Sequence, residues 1–97
     1  MTRRDDILRA LAASRDRLAP FHVRSLSVFG SVARDEATEE SDVDILVEFE
    51  EPVGIFEFVR LRRLLEEVVG RRVDLATPQA LKDRIRQRVL AEAVRAA

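Results

Sequence analysis

Apolar residues along the chain follow two different periods, and the difference separates predicted helices from predicted strands. In three segments they recur every three or four positions, which is the spacing of one face of a helix. In three others they form short runs rich in valine, leucine and isoleucine. The predicted helices lie near 5–18, 54–69 and 79–95, and the predicted strands cover Val23–Phe29, Asp42–Phe49 and Arg71–Ala76.

Proline and glycine mark the ends of two of these helices. Pro20 ends the first because proline cannot continue a helix, and Gly70 is a suitable C-cap for the second. The second helix carries a wide apolar stripe that includes Phe56 and Val59. We therefore expect this helix to be well buried and its aromatic side chains to fill the core.

Length and composition limit the class of fold. The 97 residues, of which 46% are apolar, are expected to form one domain spanning 1–97 with one core. The order of elements predicts an α/β (or α+β) fold, with a mixed sheet of about three or four strands packed against helices. No apolar run approaches the roughly 18 residues of a membrane span, so we expect a cytoplasmic protein without membrane contact.

Two aspartates open the second predicted strand. Asp42 and Asp44 are two residues apart, so both carboxylates point to one face of the strand. Such carboxylates repel each other unless a cation lies between them, and hard oxygen ligands suit Mg²⁺. Upstream, Gly30-Ser31 predicts a turn into a helix, where backbone N–H groups attract phosphate and glycine permits close approach. The absence of cysteine and the single histidine exclude thiolate and histidine-rich metal sites.

The spacing of these residues resembles a known signature. Gly30-Ser31, followed after ten residues by Asp42-x-Asp44, resembles the DNA polymerase beta-like nucleotidyltransferase superfamily. The fuller string Gly-Ser-x-x-Arg-x-Glu-x-x-x-x-Ser-Asp-x-Asp is similar to that of its minimal nucleotidyltransferases, the MntA-type antitoxins. The resemblance implies the nucleotidyltransferase fold. It also implies that Asp74, on the strand after the long helix, joins the first two aspartates as a catalytic and metal-binding residue.

Several residues around this signature have more than one interpretation. A carboxylate in the middle of an apolar strand is costly to bury, so Asp74 could instead form an ion pair with Arg71 or Arg72. Arg34 could reach phosphate or brace the acidic loop, with Glu36 as its partner. The predicted nucleotide-binding residues are Gly30, Ser31, Arg34 and Ser41.

Two further positions concern the loop itself. Ser41 is placed to orient Asp42 by a hydrogen bond, which would support the metal site indirectly. Asp35 departs from the resembled family, whose members often carry glycine there. If that glycine is needed for a positive φ, aspartate tolerates the conformation better than most residues do.

The resemblance implies a specific reaction. Two Mg²⁺ ions held by the aspartates would bind ATP and promote transfer of AMP to a hydroxyl group. In the resembled antitoxins the acceptor is a tyrosine of a HEPN-domain toxin. The acceptor tyrosine must lie on the partner, because this chain contains none.

Two other functions are compatible with the same sequence. The chain could neutralise its partner by steric binding alone, or it could be the catalytic subunit of a drug-modifying nucleotidyltransferase. Four intact residues (Ser31, Asp42, Asp44 and Asp74) argue against a vestigial site.

Charge is distributed unevenly along the chain. Residues 31–57 contain ten acidic side chains and one basic one, whereas residues 58–97 contain ten basic and five acidic ones. This distribution argues against direct binding of duplex DNA, for which a basic surface should dominate. It suits an acidic metal pocket beside a basic surface for phosphate or an acidic partner. Candidate partner contacts are Arg60, Arg62, Arg63, Arg84, Arg86 and Arg88.

Overall fold

The computed structural model describes residues 3–97. The helices are α1 Arg4–Ala13, α2 Arg15–Leu18, α3 Gly30–Ala33, α4 Ile55–Val69 and α5 Asp83–Glu92. The strands are β1 Val23–Phe29, β2 Val43–Phe49, β3 Val73–Ala76 and β4 Val94–Arg95. Short 3-10 turns cover Ala19–Phe21 and Pro78–Ala80. Within this range, none of the helices is long and apolar enough to cross a membrane.

The strands form one mixed sheet in the order β3-β2-β1-β4. Strand β1 is antiparallel to both β2 and β4, whereas β2 and β3 are parallel. Parallel neighbours need a crossover connection, and α4 provides it. The predicted mixed sheet and the α/β class are therefore confirmed.

The core lies on one face of the sheet. Alternate residues of β1 and β2 are buried there, because side chains on a strand point to its two faces in turn. Each fully buried leucine or isoleucine contributes about 1.5–3 kcal/mol of transfer free energy. Since Val43 and Ile45 point into the core, Asp44 between them points away from it. Residues without exposed area include Ile7, Leu11, Leu26, Val28, Val32, Val43, Ile45, Val47, Leu61 and Leu65.

The first predicted helix is interrupted. It ends at Ala13 and restarts at Arg15 as α2, with Ser14 between the two segments. The Ser14 hydroxyl donates a hydrogen bond of 3.0 Å to the carbonyl of Ala10. A serine that bonds back to the preceding turn in this way bends a helix, and apolar periodicity does not reveal it.

The prediction of a single helix over 79–95 is wrong at both ends. The segment begins with a 3-10 turn, and α5 ends at Glu92, after which Val94–Arg95 forms β4 beside β1. This short strand covers the open edge of β1, which would otherwise expose unpaired backbone groups. On the predicted apolar face, Val89 is buried, but Ile85 and Leu90 are each 49% exposed.

Helix α4 has the predicted extent but is less buried than expected. It ends at Gly70, whose φ of 71° provides the expected left-handed C-cap. Ile55 and Phe56 in its first turn are 69% and 78% exposed, so the expected burial is wrong there. Phe58 does pack inward, with its ring centroid 6.5 Å from that of Phe49. The apolar stripe is therefore wider than the surface that the core covers.

Candidate active site

Gly30 joins β1 to α3 in a conformation that other residues rarely adopt. Its φ is 68°, in the left-handed region that favours glycine. A β-carbon at this position would overlap the Asp44 carboxylate and would lie 3.2 Å from its Cγ. The close approach predicted for this glycine is therefore made by a carboxylate of the chain itself. As a result, the Gly30-Ser31 turn and the Asp44 side chain form one continuous site.

Asp44 is also brought beside Asp74. The two residues are paired in the parallel register of β2 and β3, on neighbouring strands. Burial, followed by the negative charges of Asp74 and Asp42, raises the pKa of the Asp44 carboxyl from its ordinary 3.8 to about 6. The structure therefore places the three predicted carboxylates near enough for the charges of Asp74 and Asp42 to act on Asp44.

The three carboxylates differ in exposure. Asp44 is partly buried, whereas Asp42 and Asp74 are exposed. The burial cost that we predicted for a carboxylate at position 74 is therefore not incurred. In residues 3–97, no three acidic, histidine or cysteine side chains already converge in metal-ligating geometry. The donor set nevertheless fits Mg²⁺ chemically, because all the groups are hard oxygen ligands with excess negative charge.

Arg34 is held by two carboxylates. Its Nε donates to Glu36 at 2.7 Å, and its Nη1 donates to Glu92 at 3.0 Å. The hydrogen bond to Glu36, followed by that to Glu92, raises the pKa of the Arg34 guanidinium above its ordinary value. Of the two roles considered for this arginine, the structure displays the bracing one. The predicted pair with Glu36 is confirmed.

Glu92 is the residue at this site that sequence reasoning missed. Its Oε1 accepts a hydrogen bond of 2.9 Å from the backbone N–H of Gly30, while Oε2 binds Arg34. The Gly30 hydrogen bond, reinforced by Arg34, lowers the pKa of the Glu92 carboxyl. Glu92 lies 62 residues after Gly30, inside what the periodicity predicts as an ordinary helix. No local pattern in the sequence indicates this contact.

The loop between α3 and β2 is held by its own hydrogen bonds. The hydroxyl of Ser41 accepts a 2.9 Å bond from the Thr38 N–H, so it closes the loop rather than orienting Asp42 as predicted. The guanidinium of Arg71 donates to the carbonyls of Thr38 and Ser41. These bonds attach the loop to the start of β3 and place Asp42 at the entrance to β2.

Asp35, which stands where the resembled family often has glycine, adopts the positive φ considered for that position. Asp35 has a φ of 58°, one of two positive values at non-glycine residues in the part of the chain described. Its Oδ1 accepts a hydrogen bond of 3.4 Å from the backbone N–H of Arg4. The side chain of Arg4 also donates, through Nη1, to the Ala33 carbonyl at 3.1 Å. Contacts with α1 therefore support a strained residue beside the site.

A cavity lies at the other end of β2. It has a volume of about 900 Å³ and is lined by residues that include Glu48, Phe49, Ile55 and Leu81, but by none of the predicted site residues. Volume alone supplies no chemistry. We therefore assign the candidate active site to the carboxylates and the Gly30-Ser31 turn, not to this cavity.

The predicted partner-contact arginines are not equivalent. Arg86 is engaged within the chain, because its Nε donates to the Pro78 carbonyl at 2.7 Å and its Nη1 lies 3.1 Å from Asp83. The other five side chains are exposed, on α4 or α5. Arg86 therefore stabilises the start of α5, and partner contact by any of the six arginines stays a prediction.

Sequence comparisons relate the chain to a family of known enzymes. The family model for the nucleotidyltransferase domain matches residues 8–96. The protein adenylyltransferase MntA of Thermococcus cleftensis is 50% identical over 74 residues, which cover 76% of this chain and 75% of that protein. Half of the aligned residues are therefore shared with a relative of similar length.

Solved structures agree at the level of the fold. One described as a proposed minimal nucleotidyltransferase has a TM-score of 0.82 and 38% identity, and the alignment covers 95% of this chain and 94% of that one. A chain from the complex of tri-AMPylated Shewanella oneidensis HEPN toxin with MNT antitoxin has a TM-score of 0.60. That alignment has 15% identity and covers 90% and 71% of the two chains, so it supports the fold alone.

The chain belongs to the nucleotidyltransferase domain family, among its minimal nucleotidyltransferases of the MntA type. The resemblance drawn from Gly30-Ser31 and Asp42-x-Asp44 is thereby confirmed, as is the nucleotidyltransferase class of enzyme.

Proposed function

We propose that this chain transfers AMP from ATP to a tyrosine hydroxyl of a HEPN-domain toxin, with release of pyrophosphate and the hydroxyl proton, and that it thereby acts as the antitoxin. The observation that carries the proposal is the position of Asp44. Its carboxylate lies against the Gly30-Ser31 turn on one side and pairs in register with Asp74 on the other. The proposed metal ligands and the proposed phosphate-binding backbone would thus share one site, as nucleotidyl transfer requires.

The carboxylates support dependence on Mg²⁺. Asp42, Asp44 and Asp74 would hold the two predicted ions, which when bound would neutralise the triphosphate and acidify the acceptor hydroxyl. The sheet positions two of these carboxylates. Strand β2 carries Asp44 on the face opposite the core, and β3 supplies Asp74 at the same level of the sheet.

The turn supports binding of the triphosphate. The hydroxyl and backbone N–H of Ser31 lie at the start of α3, next to the glycine that admits the Asp44 carboxylate. Arg34, one turn further along, adds a guanidinium at the same end of the sheet. These groups would hold the phosphates for in-line attack, and orientation of that kind supplies much of the catalysis in phosphoryl transfer.

The acceptor is proposed to lie on a partner. The chain contains no tyrosine, and residues 3–97 are occupied by the sheet and its covering helices. The relative from Thermococcus is named a protein adenylyltransferase, and one structural neighbour is a complex with an AMPylated HEPN toxin. We infer from these names that a HEPN-domain protein is the partner here. The exposed arginines of α4 and α5 are candidates for its contact surface.

The first experiment is intact-mass spectrometry of the neighbouring HEPN-domain gene product. That protein is incubated with this chain, ATP and Mg²⁺, and Asp44→Asn is compared with Glu67→Gln, which removes an exposed carboxylate that pairs with Arg17 of α2. We expect addition of one or more AMP groups with the wild type and Glu67→Gln, and none with Asp44→Asn.

Other outcomes distinguish the remaining functions. A stable complex without any gain in mass would replace this proposal with steric neutralisation. Neither a complex nor a gain in mass would favour a small-molecule acceptor, which transfer of AMP to a panel of hydroxyl-bearing drugs would then test.

A further inference from the structure

The carboxylate of Glu92 bridges two groups that are assigned to nucleotide binding. Its Oε1 lies 2.9 Å from the Gly30 nitrogen, and its Oε2 lies 3.0 Å from Arg34 Nη1. In both contacts an N–H group donates to the charged carboxylate. Hydrogen bonds to a charged acceptor are stronger than those between neutral groups. One side chain therefore connects the end of α5 to both ends of α3.

The backbone determines where Glu92 lies. Val94 of β4 pairs with Val28 of β1 in antiparallel register. In an antiparallel pair, two residues forward on one strand lie opposite two residues back on the other. Two residues beyond this pair the chain has left the strands, with Gly30 at the start of α3 and Glu92 at the end of α5, so the pairing of β4 with β1 brings these two helix ends close together. The Glu92 carboxylate is thereby within reach of the Gly30 N–H and accepts its hydrogen bond.

The contact acts on the groups that shape the site. The backbone of Gly30 lies in the left-handed region, and the absence of a β-carbon leaves space for the Asp44 carboxylate. A hydrogen bond from the Gly30 N–H restricts the orientation of the Phe29–Gly30 peptide, which leads into the Gly30-Ser31 turn. The second oxygen of Glu92 holds Arg34 from the side opposite Glu36, so that the guanidinium is fixed between two carboxylates.

We propose that Glu92 is a positioning residue of the nucleotide site: it fixes the Gly30-Ser31 turn and Arg34 in the arrangement that receives the triphosphate of ATP. The inference rests on the proposed function, because it assigns the turn and the arginine to nucleotide. Glu92 acts through these groups and is not assigned any contact with the reacting atoms.

The opposite role makes an opposite prediction. A carboxylate that holds the Gly30 N–H and Arg34 could act as an internal competitor of phosphate. Removing a competitor would strengthen nucleotide binding, whereas removing a positioning residue weakens it. The direction of the change therefore decides between the two roles.

The test measures AMP-PNP binding in the presence of Mg²⁺, together with kcat and KM for ATP in transfer to the toxin. Glu92→Ala removes both bonds, and Glu92→Gln keeps an acceptor for the Gly30 N–H but loses the charge that holds Arg34. We expect about a tenfold weaker Kd and higher KM for Glu92→Ala, with an intermediate value for Glu92→Gln and a smaller change in kcat. Glu67→Gln is the matched control and should resemble the wild type.

A double-mutant cycle tests whether Glu92 acts through Arg34. In an Arg34→Gln background, Glu92→Gln should weaken binding by less than it does in the wild type, since the partner of the lost charge is already absent. Equal effects in the two backgrounds would overturn the proposed route through Arg34.

The remaining outcomes separate this inference from the proposed function. Unchanged or tighter nucleotide binding by Glu92→Ala would overturn the positioning role, including the case in which the variant only lowers the melting temperature. If the wild type binds nucleotide but does not modify the toxin, the binding measurement still decides the role of Glu92. A wild type that binds no nucleotide would contradict the proposed function, and this inference with it.

Discussion

The Asp44 carboxylate occupies the space that a side chain on Gly30 would need. A β-carbon built on Gly30 would overlap this carboxylate and lie 3.2 Å from its Cγ, and the backbone there already has a φ of 68°. The metal-binding and phosphate-binding halves of the candidate site are therefore in direct contact. The contact between Gly30 and Asp44 can therefore be tested separately from the positive φ that the turn requires.

We expect Gly30→Ala to abolish nucleotide binding and to destabilise the chain more than Gly70→Ala does. Both glycines have φ near 70°, but nothing lies within 4 Å of a β-carbon at Gly70. Gly70→Ala should therefore cost only the strain of a left-handed alanine, about 1–2 kcal/mol. Urea denaturation and AMP-PNP binding measure the two effects. Equal losses of stability would contradict the proposed clash with Asp44.

The raised pKa of Asp44 predicts how stability depends on pH. Its pKa is about 6 in the folded chain, compared with an ordinary value of 3.8, so folding takes up a proton between these values. The free energy of unfolding should therefore fall as pH rises from about 4 to about 6. Denaturation midpoints across this range should show the slope in the wild type and in the control Asp16→Asn. The slope should be weaker in Asp44→Asn, and its persistence there would assign it to another group.

Magnesium should stabilise the folded chain by relieving repulsion among the carboxylates. A ligand that binds only the folded state adds about 2.7 kcal/mol at a hundred times its Kd. Melting temperatures measured across a Mg²⁺ titration should rise for the wild type and stay flat for Asp44→Asn and Asp74→Asn. Chelation with EDTA should reverse the rise and stop AMP transfer. A rise of equal size in the asparagine variants would place the ion elsewhere.

Position 35 should prefer glycine over alanine. Asp35 has a φ of 58°, which glycine adopts without the steric cost that a β-carbon introduces. We expect Asp35→Gly to be about 1 kcal/mol more stable than Asp35→Ala. Chemical denaturation of the two variants measures the difference. Since both lose the carboxylate near Arg4, that contact cancels, and equal stabilities would mean that the loop relaxes to a negative φ.

Features of the fold that depend on residues close together in the sequence were predicted well. The bounds of β1, the extent of α4 and its C-cap at Gly70 follow from apolar spacing and from the special φ of glycine. Asp42 and Asp44 were identified because their spacing on a strand sets them on one face. These features are local, so a window of a few residues contains the information.

Features that depend on distant partners were not predicted. The exposure of Ile55 and Phe56 follows from where the core ends, and periodicity does not define that limit. The end of α5 was missed because β4 forms only where β1 offers an unpaired edge. The Ser41 hydroxyl was expected on Asp42, but the tight loop brings Thr38 closer.

The sequence by itself determined the chemical groups of this site: a Gly-Ser turn, two aspartates on one strand face and a third on a later strand. Only the tertiary structure decided which of them meet. The parallel register of β2 and β3 pairs Asp44 with Asp74, and the pairing of β4 with β1 brings the Glu92 side chain close to Gly30. The physical reason is that strand pairing joins residues as distant in the sequence as Ser27 and Arg95 through backbone hydrogen bonds that carry no side-chain pattern.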